Sequence, residues 1–220
     1  RVRAHSVSSL RAGVDIPECQ PQTLSVSARG EVMVAGGGLF ATLHDEAFTR
    51  YSVNEDLTHT GHISSAPWSQ NYLEHECLVH DRNDPSVVWI GLSNQAYGDT
   101  GPEFWRDEGP VPLLARWDGQ RFDYFGSPEL MDGVGHGSTL AASASGRIWY
   151  GTRQGVYIFE PSRGVFRWNP AGGPDIERAN AMMVDRQDRV WISAPGLGVI
   201  VVDSTGASRW LNAESGDLAT

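Results

Sequence analysis

The sequence has 220 residues, 40% hydrophobic and 20% charged, with a formal charge of −10. Enough apolar surface is present for a buried core, which excludes a disordered tail, a collagen or a coiled coil. All 17 basic residues are arginine, so no lysine is available for a Schiff base or a P-loop, and the acidic balance argues against a nucleic-acid backbone or an anionic membrane as partner.

No apolar run approaches the ~20 residues of a membrane span, so no membrane insertion by this segment is expected. The chain begins at Arg1, as a processed protein or a piece of a longer one would. Cys19 and Cys77 either form one bridge or are two unrelated thiols.

Taken in chain order, four stretches share one grammar. The first opens on the polar turn 28–30, continues through Glu31-Val32-Met33-Val34-Ala35 and Gly38-Leu39-Phe40, passes Asp45 and ends at Tyr51. The second runs from the turn Asp81-Arg82-Asn83-Asp84 through Val87-Val88-Trp89-Ile90-Gly91 and Leu113-Leu114-Ala115-Arg116-Trp117, past Asp118, to Phe125. The third has the turn Ser143-Ala144-Ser145-Gly146, then Arg147-Ile148-Trp149-Tyr150-Gly151, the run Gly155-Val156-Tyr157-Ile158-Phe159, Glu160 and Trp168. The fourth has Asp185-Arg186-Gln187-Asp188, Arg189-Val190-Trp191-Ile192-Ser193, Gly198-Val199-Ile200-Val201-Val202, Asp203 and Trp210.

Each copy holds four short extended segments, rich in β-branched and aromatic residues and punctuated by Gly, Pro, Asn or Asp. No window of ten or more residues keeps a helical period; Pro174 to Val184 is short and contains a plausible inner strand. Met33 to Trp89 is 56 residues, Trp89 to Trp149 is 60 and Trp149 to Trp191 is 42. A four-stranded repeat of the shortest spacing matches the ~40–45 residues of one β-propeller blade. The fold expected is therefore all-β, a β-propeller with about four four-stranded blades near 23–62, 76–126, 139–169 and 181–212. A β-sandwich also has short strands, but gives no reason for the Trp, the Gly and the aromatic to recur in order. Residues 1–22 form an N-terminal segment in which Ser6–Leu10 is a candidate outer strand of a preceding blade. Four blades make either a minimal ring or part of a larger one, and an open arc would expose apolar sheet faces and self-associate.

The order of turn, Ile/Val-Trp-Ile/Tyr-Gly-Thr, Gly-Val, acid and aromatic resembles the two-component regulator propeller repeat. The third copy, from Ser145 to Glu160, carries it most closely, and the resemblance spans about 23–220. It implies an extracytoplasmic (periplasmic or secreted) bacterial sensor propeller whose ligand is saccharide-like. The motif itself is structural and specifies fold far better than ligand.

With antiparallel strands a, b, c and d in each blade, the d-to-a and b-to-c connections share one end of the sheets and the short turns share the other. The enlarged connections, Val53 to Leu73, Ser93 to Pro112 and Gly126 to Ser138, all fall at the first end, and such gathered loops are where binding usually sits. They carry Trp68, Tyr72, Tyr97, Asp99, Glu103, Trp105 and Arg106, a mixture suited to a polyol: rings stack on the C–H face and carboxylates accept hydroxyls. Trp68 and Trp105 have the alternative role of plugging gaps between blades. Glu177 and Arg178 occupy the d-to-a connection before the fourth copy and join the candidate ligand site.

His59, His62, His75 and His136 lie on or beside d-to-a connections, near the expected axis. They are either a metal set or surface and packing histidines. No cofactor is expected on the first reading and a divalent metal on the second. Strand alternation sets His75 and Cys77 on one side and Glu76 on the other, against a His75-Glu76-Cys77 catalytic cluster. Three functions follow: a non-enzymatic sensor or recognition propeller for a saccharide-like small molecule; a metal-dependent lyase or hydrolase using the histidines, with Glu177 or Glu76 as base, resembling the streptogramin lyases; or a protein–protein interaction scaffold.

Overall fold

The computed structural model describes residues 23–27, 30–36, 39–44, 47–52, 73–94, 112–126 and 137–211. The first sheet is β1 (Thr23–Val26), β2 (Val32–Gly36), β3 (Leu39–His44) and β4 (Ala47–Ser52). The second is β5 (Leu73–His80), β6 (Val88–Asn94), β7 (Pro112–Trp117) and β8 (Phe122–Gly126). The third is β9 (Gly137–Ala142), β10 (Ile148–Thr152), β11 (Gly155–Glu160) and β12 (Gly164–Trp168). The fourth is β13 (Ala181–Val184), β14 (Val190–Ala194), β15 (Gly198–Val202) and β16 (Ser208–Leu211). Each sheet is an antiparallel meander in chain order.

The sheets pack face to face in succession, with contacts strongest between their first strands, β1, β5, β9 and β13. Those four strands also surround a common cavity, which marks the axis. The fold is a β-propeller, and each sheet is a blade. β10 is buried along its whole length because a blade covers it on either side, hence its unbroken apolar run Ile-Trp-Tyr-Gly-Thr.

One rule builds all three interblade cores. The face holding Met33, Ala35 and Phe40 packs on Val88, Ile90, Leu92 and Ala115 of the second blade. The face holding Cys77, Trp89 and Leu114 packs on Leu140, Ile148, Tyr150 and Phe159 of the third. The face holding Ala141, Trp149 and Ile158 packs on Val190, Ile192, Ile200 and Val202 of the fourth. The repeated Trp (Met33 in the first blade) thus looks forward, and its two flanking residues look back.

Two residues beyond the Trp the blades approach most closely. A Cβ on Gly91 would lie 2.5 Å from Cys77 Sγ and 2.7 Å from Tyr150 Cε2 of the next blade. One on Gly151 would lie 2.8 Å from Thr139 Cγ2 and 3.0 Å from Ala179 Cβ. This explains why Gly91 and Gly151 carry no side chain; the equivalent residues Ala35 and Ser193 are also small. Tyr150 fills the space and donates its buried hydroxyl to Leu92 O at 2.8 Å.

In the second and fourth blades the a-to-b turn anchors the Trp that follows it. Asp81 and Asp185 each accept the indole N–H, of Trp89 and Trp191 respectively, at 2.9 Å. Their other oxygens take turn amides: Asn83 and Asp84 in the second blade, Gln187 and Arg189 in the fourth. The third blade has Ser143 there, too short to reach, and Trp149 Nε1 is buried without a partner. Ser143→Asp is expected to supply the missing acceptor and take the Arg147 amide that Ser143 holds at 3.2 Å, as Asp185 does with Arg189. The gain should be about 1 kcal/mol. Chemical denaturation checks it; a lower midpoint would rule out the missing acceptor as a defect.

The turn carboxylates also set the acid response. At Asp118 the Arg121 and Gln120 amides, and at Asp203 the Thr205 hydroxyl with the turn amides, hold the carboxyl below its ordinary value. Partial burial opposes ionisation at Asp185. Donation from the Trp191 indole and from Arg189 and Gln187 still holds its carboxyl well below the ordinary carboxylate range. A pKa depressed on folding contributes stability that is full above the unfolded value of about 4 and is lost as pH falls through the folded value. Stability should therefore be flat from neutral pH to about 5 and decline below about 4. Asp185→Asn should flatten that decline in an acid series of denaturation midpoints.

β5 departs from simple alternation. Its ladder to β6 pairs His75 with Leu92 but Cys77 with Gly91, so the register shifts between His75 and Cys77. The strict alternation expected across His75, Glu76 and Cys77 is interrupted in the backbone ladder at this point. Cys77 is buried in the core between the second and third blades.

Candidate functional site

The strand directions assign each connection to one end of the propeller. β4 to β5, β6 to β7, β8 to β9 and β12 to β13 are joined at one end, and the a-to-b and c-to-d turns lie at the other. Segments 53–72, 95–111 and 127–136 all bridge strand termini at the first end. Trp68, Tyr72, Tyr97, Asp99, Glu103, Trp105, Arg106, His59, His62 and His136 lie outside the described residues. His75 is placed on β5 by its backbone.

The connection 169–180 shows how this end presents side chains. Ile176 and Ala179 are buried between the third and fourth blades. The Ile176 amide donates to Asn169 Oδ1 at 3.2 Å and the Ala179 amide to Thr152 O at 3.0 Å. Between these anchors Glu177 and Arg178 project outward, both exposed. Arg178 Nε donates to Asn180 Oδ1 at 2.7 Å, and the Asn180 amide is held by Ser193 O at 3.0 Å. Glu177 and Arg178 are thus consecutive exposed residues of an anchored connection, one a carboxylate acceptor and the other a guanidinium donor. Exposed Arg153 and Gln154 occupy the neighbouring b-to-c turn.

The opposite end is braced. Arg82 reaches from the second blade to Asp188 Oδ1 at 3.1 Å and to Asp185 O at 3.3 Å in the fourth. Asp188 Oδ1 also accepts the Ala144 amide of the third blade at 2.7 Å, and Asn83 Nδ2 donates to Ala144 O at 3.2 Å. Asp188 holds a left-handed backbone, φ 59°, to do so. Three a-to-b turns are tied together by these bonds.

Inside this brace lies an axial cavity of about 420 Å³, walled by apolar residues of the first strands, including Val26, Leu140 and Met183, with His80, Asp81 and Arg82 among its polar lining. His80 Nδ1 lies 3.1 Å from Pro85 O, so the proton is assigned to Nδ1, and Nε2 is buried with no partner. The sequence pattern does not single out His80. The first-strand alternation was the available signal, but nothing in it distinguishes an axial residue from an interblade one. Among the described residues no group of three or more His, Cys, Asp or Glu is arranged to hold a metal ion.

No family model and no curated protein matches the sequence. Solved structures do match. Virginiamycin B lyase from Staphylococcus aureus superposes with a TM-score of 0.59 at 12% identity, over 90% of this chain and 57% of that one. The extracellular domain of a putative hybrid two-component system from B. thetaiotaomicron gives 0.59 at 13%, over 91% of this chain and 23% of that one. Regucalcin, a calcium-binding protein from Agrobacterium tumefaciens, gives 0.54 at 10%, over 90% and 60%. At these identities the likeness is one of fold. The chain spans less than two thirds of each of these proteins.

Proposed function

We propose that the chain is a non-enzymatic ligand-recognition propeller, part of an extracytoplasmic sensor, that binds a saccharide-like molecule at the end carrying segments 53–72, 95–111 and 127–136. The observation that carries this reading is the strand topology: all three enlarged connections leave the same end of the blades. The other end is closed by short turns cross-linked through Arg82 and Asp188. In this reading Tyr97 and Trp105 are the stacking rings, Asp99 and Glu103 the hydroxyl acceptors, and Glu177 with Arg178 a further polar pair at the same end of the blades. The likeness to the extracellular domains of two-component systems supports the location and the sensor role.

Titration calorimetry with soluble oligosaccharides tests it. A binding oligosaccharide should lose about tenfold in affinity on Trp105→Ala, the worth of one stacked ring, with Arg82→Ala as an unaffected control. Failure of every oligosaccharide to bind at millimolar concentration, with stoichiometric metal that is lost on His59→Ala or His136→Ala, would replace this reading with the metal-dependent lyase or hydrolase.

A further inference from the structure

Among the described residues the exposed large hydrophobics are Leu24, Val26 and Met183, at 64%, 55% and 58%. All three stand at positions that are interblade core elsewhere. Register pairs Leu24 with Val34 and Val26 with Val32. The equivalent pairs in the third blade are Leu140 with Tyr150 and Ala142 with Ile148, which pack backward on the second blade. Met183 pairs with Trp191 as Ala141 pairs with Trp149, yet Ala141 is only 4% exposed because the fourth blade covers it.

The fourth blade thus shows Met183 on its forward face, beside half-buried Trp191 and Val199 and buried Val201, and the first blade shows Leu24 and Val26 on its backward face, beside half-buried Val32 and buried Val34. Within one chain packing runs from the first blade to the second, the second to the third and the third to the fourth. The three exposures show that, among the described residues, nothing covers Leu24, Val26 or Met183 as their counterparts are covered in the other blades. The small residue needed for close approach is present at the forward face as Ser193. Polar outer-strand positions such as Arg209 do not oppose docking, since Thr49 and Asp123 hold the equivalent positions in blades that are covered.

We propose that a second copy of this chain docks head to tail, its first-blade face of Leu24, Val26 and Val32 covering the Met183–Trp191 face of the fourth blade. The occupant is chosen by continuity with the three internal interfaces: what covers a Trp face here is always the backward Val/Ile/Leu face of a blade, and the first blade carries one of these uncovered. The contact is heterologous, so a pair keeps one free face of each kind, one on each copy, unless the assembly closes. The second copy would also wall the axial cavity, which Val26 and Met183 both line.

Sedimentation velocity on the 220-residue protein is the test. Wild type should sediment at no less than twice the 24.0 kDa of one chain in the micromolar range. Met183→Asp and Leu24→Asp should each weaken association at least tenfold while keeping the wild-type circular dichroism. Mixing the two variants should restore a pair, because one retains an intact first-blade face and the other an intact fourth-blade face. A wild type that stays monomeric, variants that associate like wild type, or a mixture that stays monomeric would each overturn the proposal. The first of these outcomes would instead assign the faces to further blades of a longer polypeptide.

Discussion

Trp89→Ala should destabilise the protein by about 3–5 kcal/mol, the cost of truncating a large buried aromatic. Trp89 is 3% exposed, and its ring lies 4.9 Å from Phe159 of the next blade and 5.4 Å from Phe125 of its own. Phe125 and Phe159 themselves stand 4.5 Å apart, so the deletion empties the middle of a three-ring contact between blades. It also takes the indole donor from Asp81. Trp191→Ala removes the same residue at the same repeat position, and its indole likewise serves an aspartate. Its face, however, has no covering blade among the described residues, and the Arg189 guanidinium lies 5.4 Å from its ring centre. Measured by denaturation at a concentration where the protein is a single copy, Trp191→Ala should cost less than half as much as Trp89→Ala. Equal costs would show that these tryptophans serve their own blade and not the interface.

Gly91→Ala should cost about 1–3 kcal/mol, although it adds a single methyl group. The new Cβ would meet both the Cys77 sulfur and the Tyr150 ring, each of them buried. Neither neighbour can yield freely. Cys77 sits in the strand that pairs with Gly91, and Tyr150 is held by its hydroxyl to Leu92 O. Shortening Tyr150 by Tyr150→Leu should relieve part of the clash, so the double variant should be more stable than the sum of the single effects predicts. Strict additivity would contradict the close approach of the second and third blades at this point.

The sequence makes the blades legible because one chemical order recurs: turn, Trp, small residue, apolar run, acid, aromatic. Its physical cause is now visible. The Trp fills the forward interface, the small residue admits the next blade, and the turn aspartate receives the indole. The first blade departs from the order in a consistent way, since Met33 needs no acceptor and Ser27 heads the turn that precedes it. The third blade keeps the Trp and loses the aspartate, a mismatch that shows only when Trp149 is seen buried.

The bulge at His75–Cys77 is not legible, because strict alternation is the sole rule a strand pattern offers and a bulge breaks it. The Arg82–Asp188 brace is not legible either. It joins residues 106 positions apart whose proximity depends on how far the blades turn around the axis. Of the candidate site, Glu177 and Arg178 emerge as an exposed pair on an anchored connection. The aromatic and acidic residues of the enlarged connections carry the binding proposal through their position in the topology.

Hydrogen–deuterium exchange of the protein with and without a bound oligosaccharide tests the binding end most directly. Protection should concentrate at the strand termini that border the enlarged connections, at Asn94, Gly126 and Gly137, and along 169–180. The turns at 81–87, 143–147 and 185–189 should exchange unchanged. Protection confined to those turns, or to the first strands around the axial cavity, would place the ligand at the wrong end and contradict the proposed function.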